Sequence, residues 1–518
     1  MTHAELKQRL VRNTVSNYVR TTVAMIAGLV TFRLLYQHFD KEEFGFWSLL
    51  WSVFGYGILL DFGFGFAAQK RVAELSVAKN WEEMGRVLSS ILVFYTGIAI
   101  ALAGTAFLAS PWLIEWFHVS PARSEEFRWV MVVFFAGIGL AFPMGIFPEI
   151  LRGQQRISLA NWLITTALVL RVALIIAAMH WHWSFMSIVI IALGSSLGPD
   201  VVAAFLAMKV MPEVKLSLRA FDLGSMGDTA KFSAFAYLST ATNLVLAKTD
   251  QLVITTTLGV AAIVLYQSGA KVAEVFREFT KQVQESLSPA AAHLHAGGHS
   301  GELRGLMINA TRWSVLIATP LYLLCAFYLH ELLLLLTGDA SLSHETWLVG
   351  QVLLFWYYTS VITHSVSKRV FMMTGHERRL MWLGVAEASA NLMISVGLAL
   401  WMKSVVAVAI GSLIPTLWFG WMHLWRWMAR DTGMSSVGLL RETVGPALAA
   451  CVPALFVLLV LQHVVLAPGH SELAAMFIEA TIAGLVAIIG LWKFALQPQE
   501  RSRLASRFIR QRPASLVA

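Results

Sequence analysis

Long apolar blocks recur from one end of the chain to the other, separated by short polar segments. A helix that crosses a bilayer needs roughly 20 mostly apolar residues. Blocks of that length lie near 13–36, 45–67, 86–108, 127–149, 158–179, 183–208, 231–257, 261–285, 313–336, 346–366, 380–402, 404–425, 444–466 and 473–495. The pattern predicts an all-α, polytopic membrane protein of about 14 transmembrane helices. No segment between the blocks is long enough for a soluble domain.

Composition supports this reading. Of 518 residues, 57% are hydrophobic and only 14% charged, whereas soluble domains carry about 25% charged residues. Mean hydropathy is +0.66. The two cysteines, Cys325 and Cys451, sit inside apolar blocks, so neither a disulfide framework nor a cysteine metal site is expected. No metal and no cofactor is expected, nor an enzymatic activity. The N-terminus, MTHAELKQRLVRNTVSNYVR, is basic and amphipathic. It lacks a short apolar core followed by a small-residue cleavage site, so the first helix is expected to stay as an uncleaved anchor. The net charge of +8 is scattered over short loops and the tail. A nucleic-acid partner would need it gathered on one face, and none is expected.

Topology explains the charge better. Cytoplasmic loops of membrane proteins are rich in Lys and Arg. With the N-terminus inside, about 28 Lys and Arg fall on the cytoplasmic side and about 4 outside. An even number of spans also places both basic termini in the cytoplasm. Every predicted outer loop is short, which speaks against a surface-sugar polymerase. No GxxxxGK[ST] phosphate loop occurs, which disfavours a nucleotide-driven pump.

Several charges lie inside spans, where each costs about 2.5–3.5 kcal/mol on insertion scales and usually faces a bundle interior or a wet cavity. They are Arg20 and Arg33 in the first span, Asp61 in the second, Arg171 in the fifth, Asp200 in the sixth, Lys248 and Asp250 in the seventh, and Glu387 in the eleventh, with Asn391 one turn on. Arg20 and Asp61 both fall roughly 7–8 Å to the cytoplasmic side of the midplane. They are read either as a structural ion pair between helices or as a cavity cation with a tuning carboxylate. In the eighth span, Gln267, Lys271, Glu274, Glu278, Lys281 and Glu285 fall within about 40° of one line, with Arg277 flanking them and Val272, Phe276, Phe279 and Val283 opposite. Such a stripe on a spanning helix must line water or other polar helices; the alternative is a helix lying on the cytoplasmic surface. Pro143 and Pro148, Gly198-Pro199, Pro320 and Pro415 interrupt the pattern of their spans, compatible with a transporter that bends or rocks, while each taken singly reads as a simple packing kink.

The segment RLLYQHFDKEEFGFWSLLWSVFGYG after the first span has a weak counterpart, VITTTLGVAAIVLYQSGAKVAEV, after the seventh. Six spans per repeat predict two halves of the same orientation. The expected divisions are 1–210 (six-helix lobe), 211–230 (inter-lobe loop), 231–430 (second six-helix lobe), 431–498 (an additional helix pair) and 499–518 (basic cytoplasmic tail).

Four stretches, FGFWSLLWSVFGYGILLDFGFGFAAQKRVAE, ILRGQQRISLANW, KTDQLVITTTLGVAAIVLYQSGAKVAEVFREFTKQVQESLSPAAAHL and GELRGLMINATRW, resemble Wzx-type polysaccharide flippases. These form the polysaccharide transporter branch of the MOP superfamily, beside MurJ lipid II flippases and MATE drug exporters. The resemblance runs over most of residues 10–430. It implies two six-helix lobes around a central cavity with alternating access. It implies transfer of an undecaprenyl-pyrophosphate-linked oligosaccharide between leaflets of the bacterial inner membrane, for O-antigen (lipopolysaccharide), capsule or exopolysaccharide assembly. Its implied partners are the lipid-linked oligosaccharide, membrane lipids, a polysaccharide polymerase and other assembly proteins, and H⁺ or Na⁺. By location in helices one, seven and eight, the substrate-binding cations would be Arg20, Arg33, Lys248, Lys271 and Arg277. The carboxylates Asp61, Asp250, Glu274, Glu278 and Glu387 would temper them or bind the coupling ion. A MATE-like drug exporter and a lipid II flippase are the rival readings.

Overall fold

The computed structural model describes residues 3–217 and 249–502, apart from 63, 155, 285–286, 288–290, 292–293, 296, 340, 465–471, 497 and 499. The described residues are almost wholly helical and contain no strand. The chain divides into two compact units, Met1–Gln267 with Leu392–Val408, and Ser268–Asn391 with Ala409–Ala518.

In the first unit the helices run α1 His3–His38, α2 Lys41–Gly57, α3 Phe64–Ala78, α4 Trp81–Trp116, α5 Ser124–Gly153, α6 Ile157–His180 and α7 Phe185–Val210. Residues 249–258 form a further helix, α8. Their starts follow from local chemistry. Asp40 Oδ1 accepts the backbone N–H groups of Glu42 and Glu43, each at 2.9 Å, and so caps α2. Asn80 caps α4 reciprocally: it accepts the Glu83 N–H at 3.1 Å and donates to Glu83 Oε2 at 2.7 Å. Arg123 reaches Glu43 at 2.6 Å and Asp40 at 2.5 Å, tying the α4–α5 connection to the start of α2. The hydrogen bond to Glu43 holds its guanidinium above the ordinary arginine range.

The apolar core of this unit is built where Ala68 and Val72 of α3, Met84, Leu88 and Ile91 of α4, Ile146 and Leu151 of α5, and Ala207 of α7 meet. Two glycines allow backbone to approach closely, as small residues do between membrane helices. A Cβ on Gly45 of α2 would stand 2.2 Å from the Val260 carbonyl oxygen, and one on Gly153 of α5 would stand 2.7 Å from that of Gln69 on α3.

The second unit holds most of α9 Ile263–Gln284, then α10 Ser300–Phe327, α11 Leu329–Thr337, α12 His344–Ser360, α13 Val366–Met373, most of α14 Glu377–Met402 and of α15 Val405–Phe419, α16 Arg426–Thr432, α17 Ser436–Thr443, α18 Gly445–Val464 and α19 Glu472–Gly490. Arg312, 4% exposed, donates to the Ala495 carbonyl at 2.5 Å and to Glu500 at 2.9 Å, fastening the segment after α19 to α10. Tyr328 donates to the buried Glu479 at 2.9 Å.

Ten helices among the described residues are long and apolar enough to cross a membrane, or eleven if the bent pair α17–α18 counts as one span. They correspond to eleven of the fourteen expected blocks. Most of the block at 231–257 lies outside the described residues. The blocks at 261–285 and 346–366 coincide with helix, but α9 carries its charged stripe and α12 and α13 are joined through a π-helical turn, Val361–Ser365.

Of the two readings of the prolines, interruption of the span is not what the structure has. α5 runs unbroken through Pro143 and Pro148, α7 through Pro199, α10 through Pro320 and α15 through Pro415. Packed neighbours can satisfy the freed backbone groups, so proline alone does not end a membrane helix. The breaks fall elsewhere. The expected span 45–67 is divided: α2 stops at Gly57, a 3₁₀ turn covers Ile58–Asp61, and α3 starts at Phe64. Further π-helical turns lie at Gly420–Trp425 and Leu491–Ala495.

Candidate functional site

In the first unit, the division between α2 and α3 puts a carboxylate into the helix bundle. Asp61 ends the 3₁₀ turn and accepts a hydrogen bond from the Tyr95 hydroxyl of α4 and one from the Gly65 N–H at 3.3 Å. A Cβ on Gly65 would meet Asp61 Oδ1 at 3.4 Å and Glu149 Cγ at 3.8 Å. A Cβ there would be in ordinary van der Waals contact with both acids, so the position faces them directly. One turn of α5 carries Glu149 and Arg152, which form a salt bridge with side chains 17% and 26% exposed. These groups line a cavity of about 500 Å³ together with Phe54, Gln69, Ala141, Phe142 and Gly145. Asp200 of α7 lies in the electrostatic reach of Arg152 and Glu149, and Arg20 in that of Arg152.

Asp61 and Arg20 do not pair with each other. Arg20 donates to Asn17 of its own helix at 3.1 Å, and its Nε is buried with no hydrogen-bond partner among the described residues. The partner of Asp61 is instead Tyr95, 34 residues on. Equal depth is necessary for a contact but does not set the rotation of two helices toward each other.

The α9 stripe makes a ladder of ion pairs in the second unit. Lys271 is 3.6 Å from Glu274, Arg277 3.3 Å from Glu278, and Lys281 3.3 Å from Glu278. The three-residue spacing of Lys271–Glu274 and Glu278–Lys281 puts these two pairs on one face, and Arg277 reaches its sequence neighbour Glu278 from the flank. Arg277 also lies over the Tyr357 ring, 5.0 Å from its centroid, a cation–π contact that adds to its hydrogen bond with the Tyr357 hydroxyl. Val272 and Ala273 are buried. Phe279, placed by periodicity on the face opposite the stripe, is 51% exposed.

Glu387, 2% exposed, is the third centre. His364 Nε2 lies 3.0 Å from its Oε1, the Lys368 ammonium 3.2 Å from its Oε2, and the Thr416 hydroxyl donates to Oε1 at 3.2 Å. Thr416 in turn accepts the Trp356 indole N–H at 2.8 Å, and Thr363 lies 2.7 Å from His364 Nδ1. The π-helical turn at Val361–Ser365 carries His364, and that at Gly420–Trp425 packs on it: a Cβ on Gly420 would stand 2.7 Å from the His364 ring. Such turns often mark functional sites. Asn391, one turn beyond Glu387, donates to Ser412 at 2.7 Å and keeps a buried Oδ1 without a partner among the described residues.

The residues singled out by sequence thus separate. Asp61 lies in the first-unit cavity. Asp250, 4% exposed, accepts from the Tyr266 hydroxyl of α9. Arg20 and Arg33 are both on α1, thirteen residues apart, hence about 20 Å along the axis. Lys271, Glu274 and Glu278 share one face of α9 with Arg277 at its flank, and Glu387 has its own network. Lys248 lies outside the described residues. Sequence reading missed Tyr95, which is inside the block 86–108, Glu149 and Arg152, which stand where the block 127–149 meets the following loop, and His364 and Lys368. The last two stand at i, i+4 on one helical face, a spacing that signals a shared site.

The described residues thus form an all-helical membrane bundle with paired charges and a cavity lined by charged groups. The fold matches that of the lipid II flippase MurJ in an inward closed conformation (TM-score 0.71, 13% identity, covering 95% of this chain and 99% of that one). It also matches a MOP superfamily transporter from Pyrococcus furiosus, described as having a binding pocket of reversed polarity (0.58, 15%, 82% and 96%), and the MATE transporter VcmN of Vibrio cholerae (0.57, 14%, 83% and 97%). None of the curated proteins matches by sequence. The family model for polysaccharide biosynthesis proteins matches residues 10–295, and the chain belongs to that family. It is a polytopic membrane protein with the fold of MOP-superfamily transporters.

Proposed function

We propose that the protein is a flippase of the bacterial inner membrane. It moves an undecaprenyl-pyrophosphate-linked oligosaccharide from the cytoplasmic to the periplasmic leaflet by alternating access, for O-antigen, capsule or exopolysaccharide assembly. Membership of the polysaccharide biosynthesis family carries this reading; a fold similar to that of a lipid II flippase over 95% of the chain supports it. The distribution of Lys and Arg supports cytoplasmic termini.

In this reading, Arg20, Arg33, Lys248, Lys271 and Arg277 meet the pyrophosphate. Arginine offers paired donors to phosphate oxygens and lysine a compact charge. Asp61, Asp250, Glu274, Glu278 and Glu387 keep the cations from holding the anion too tightly or bind the coupling H⁺ or Na⁺. The ion pairs along α9 fit such a role, because a cation already matched by a carboxylate releases an anion readily. The test is surface polysaccharide in cells carrying Arg20→Ala or Lys271→Ala. Both variants are expected to reach the membrane and to lose the surface glycan. Normal glycan in both would overturn the assignment of these cations.

A second reading, a cation-coupled drug exporter, draws on the two carboxylates that face one arginine in the first-unit cavity. Lowered drug resistance on deletion, with surface glycan intact, would favour it.

A further inference from the structure

The first-unit cavity contains chemistry that a pyrophosphate seat does not need. Its ionised lining groups are Asp61, Glu149 and Arg152, two negative charges against one positive. An anion brought there meets both carboxylates at close range in a medium of low dielectric, where repulsion is strong. A bare organic cation is matched only in part, because the Arg152 guanidinium shares the cavity and already pairs with Glu149.

We propose that this cavity is a saccharide seat, which takes a neutral, hydroxyl-rich sugar residue of the lipid-linked substrate while the pyrophosphate is held elsewhere. The inference rests on the flippase reading and assigns the sugar part of the same cargo. A sugar presents hydroxyls that both donate and accept, and the cavity offers matching groups. An ionised carboxylate has roughly four acceptor positions, and among the described residues Asp61 accepts from Tyr95 and the Gly65 N–H. Arg152 directs one N–H to Glu149 and keeps its others. Gln69, which offers both a donor and an acceptor, has no hydrogen-bond partner among the described residues and faces the cavity. The Tyr95 and Phe142 rings, 5.9 Å apart, add flat apolar wall, the complement of the C–H face of a pyranose. A few fixed polar groups on an aromatic wall is the general make-up of a ligand pocket, and about 500 Å³ lies within the usual range of roughly 300–1,000 Å³.

Gly145 supplies the test. It lines the cavity, and a Cβ there meets nothing within 4 Å. Gly145→Leu therefore fills the site without pressing on the backbone. Purified full-length protein in nanodiscs is titrated with glucose, galactose, N-acetylglucosamine and rhamnose, read by saturation-transfer NMR. Tetraphenylphosphonium and inorganic pyrophosphate serve as the cationic and anionic probes. At least one sugar is expected to bind at millimolar concentration, weakened about tenfold or more by Gly145→Leu and also by Gln69→Leu. Gln69→Leu keeps the test informative should Gly145→Leu melt early. The proposal fails if no sugar binds, if both cavity variants bind sugar as well as wild type, or if tetraphenylphosphonium or pyrophosphate is what the cavity variants lose. Flipping of lipid-linked oligosaccharide in reconstituted vesicles separates the two readings. A wild-type protein that flips, beside Gly145→Leu and Gln69→Leu variants that flip equally well, overturns the seat and leaves the flippase standing. A wild-type protein that binds sugar at Gly145 but never flips overturns the flippase and leaves the seat.

Discussion

Asp61 and Glu387 meet the same cost of burial in different ways. Asp61 stays at the wall of a cavity and accepts a phenolic hydroxyl and a backbone N–H. Glu387 is 2% exposed and is matched by Lys368, His364 and Thr416. Removing one partner of a buried ion pair leaves an uncompensated charge and costs about 3–5 kcal/mol. The Lys368 side chain is itself 27% exposed, so it can turn to water when the acid is removed, whereas Glu387 cannot. Lys368→Ala is therefore expected to cost roughly 3 kcal/mol, and Glu387→Gln clearly less, as read by thermal unfolding in detergent. Equal losses would mean that the pair is not the asymmetric one described.

At the scale of elements, close backbone approach sets where helices cross. A side chain on Gly153 must displace the α3 backbone near Gln69 and the Val72 side chain. Overpacking of a tight contact costs typically about 1–3 kcal/mol, so Gly153→Leu is expected to lower the unfolding midpoint, while Gly145→Leu, in open space, leaves it near wild type. A reversed order would contradict the α3–α5 packing. The same scale holds the question of α9. Cysteines placed at 271, 274 and 278 are expected to react with a membrane-impermeant thiol reagent, and those at 272 and 273 to stay protected. The native Cys325 and Cys451 are both buried, so background labelling is expected to be low. Uniform labelling of all five positions would argue for a helix lying on the membrane surface.

For the whole molecule, the flippase reading predicts that a deletion strain accumulates lipid-linked oligosaccharide in the cytoplasmic leaflet and loses surface glycan, with drug susceptibility unchanged. Lysis on depletion would point instead to lipid II as the cargo.

The membrane class, the position of most spans, the helical character of α9 with its charged face and the family were all legible in the sequence. Each of these is a property of one segment at a time: hydropathy is summed along a helix, and the three- and four-residue spacings put Lys271, Glu274 and Glu278 on one face whatever lies opposite. Only the tertiary structure decided which charges meet. Asp61 faces Tyr95 and the Glu149–Arg152 pair rather than Arg20, and Glu387 finds His364 and Lys368 across a π-helical turn. Those choices depend on the rotation of each helix about its axis, on where a helix breaks and on which glycines admit a neighbour. They are relations between segments, which a pattern along one segment does not contain. The charges first noticed for being in apolar blocks thus resolve into three settings: a cavity wall, a ladder of ion pairs and a closed buried network.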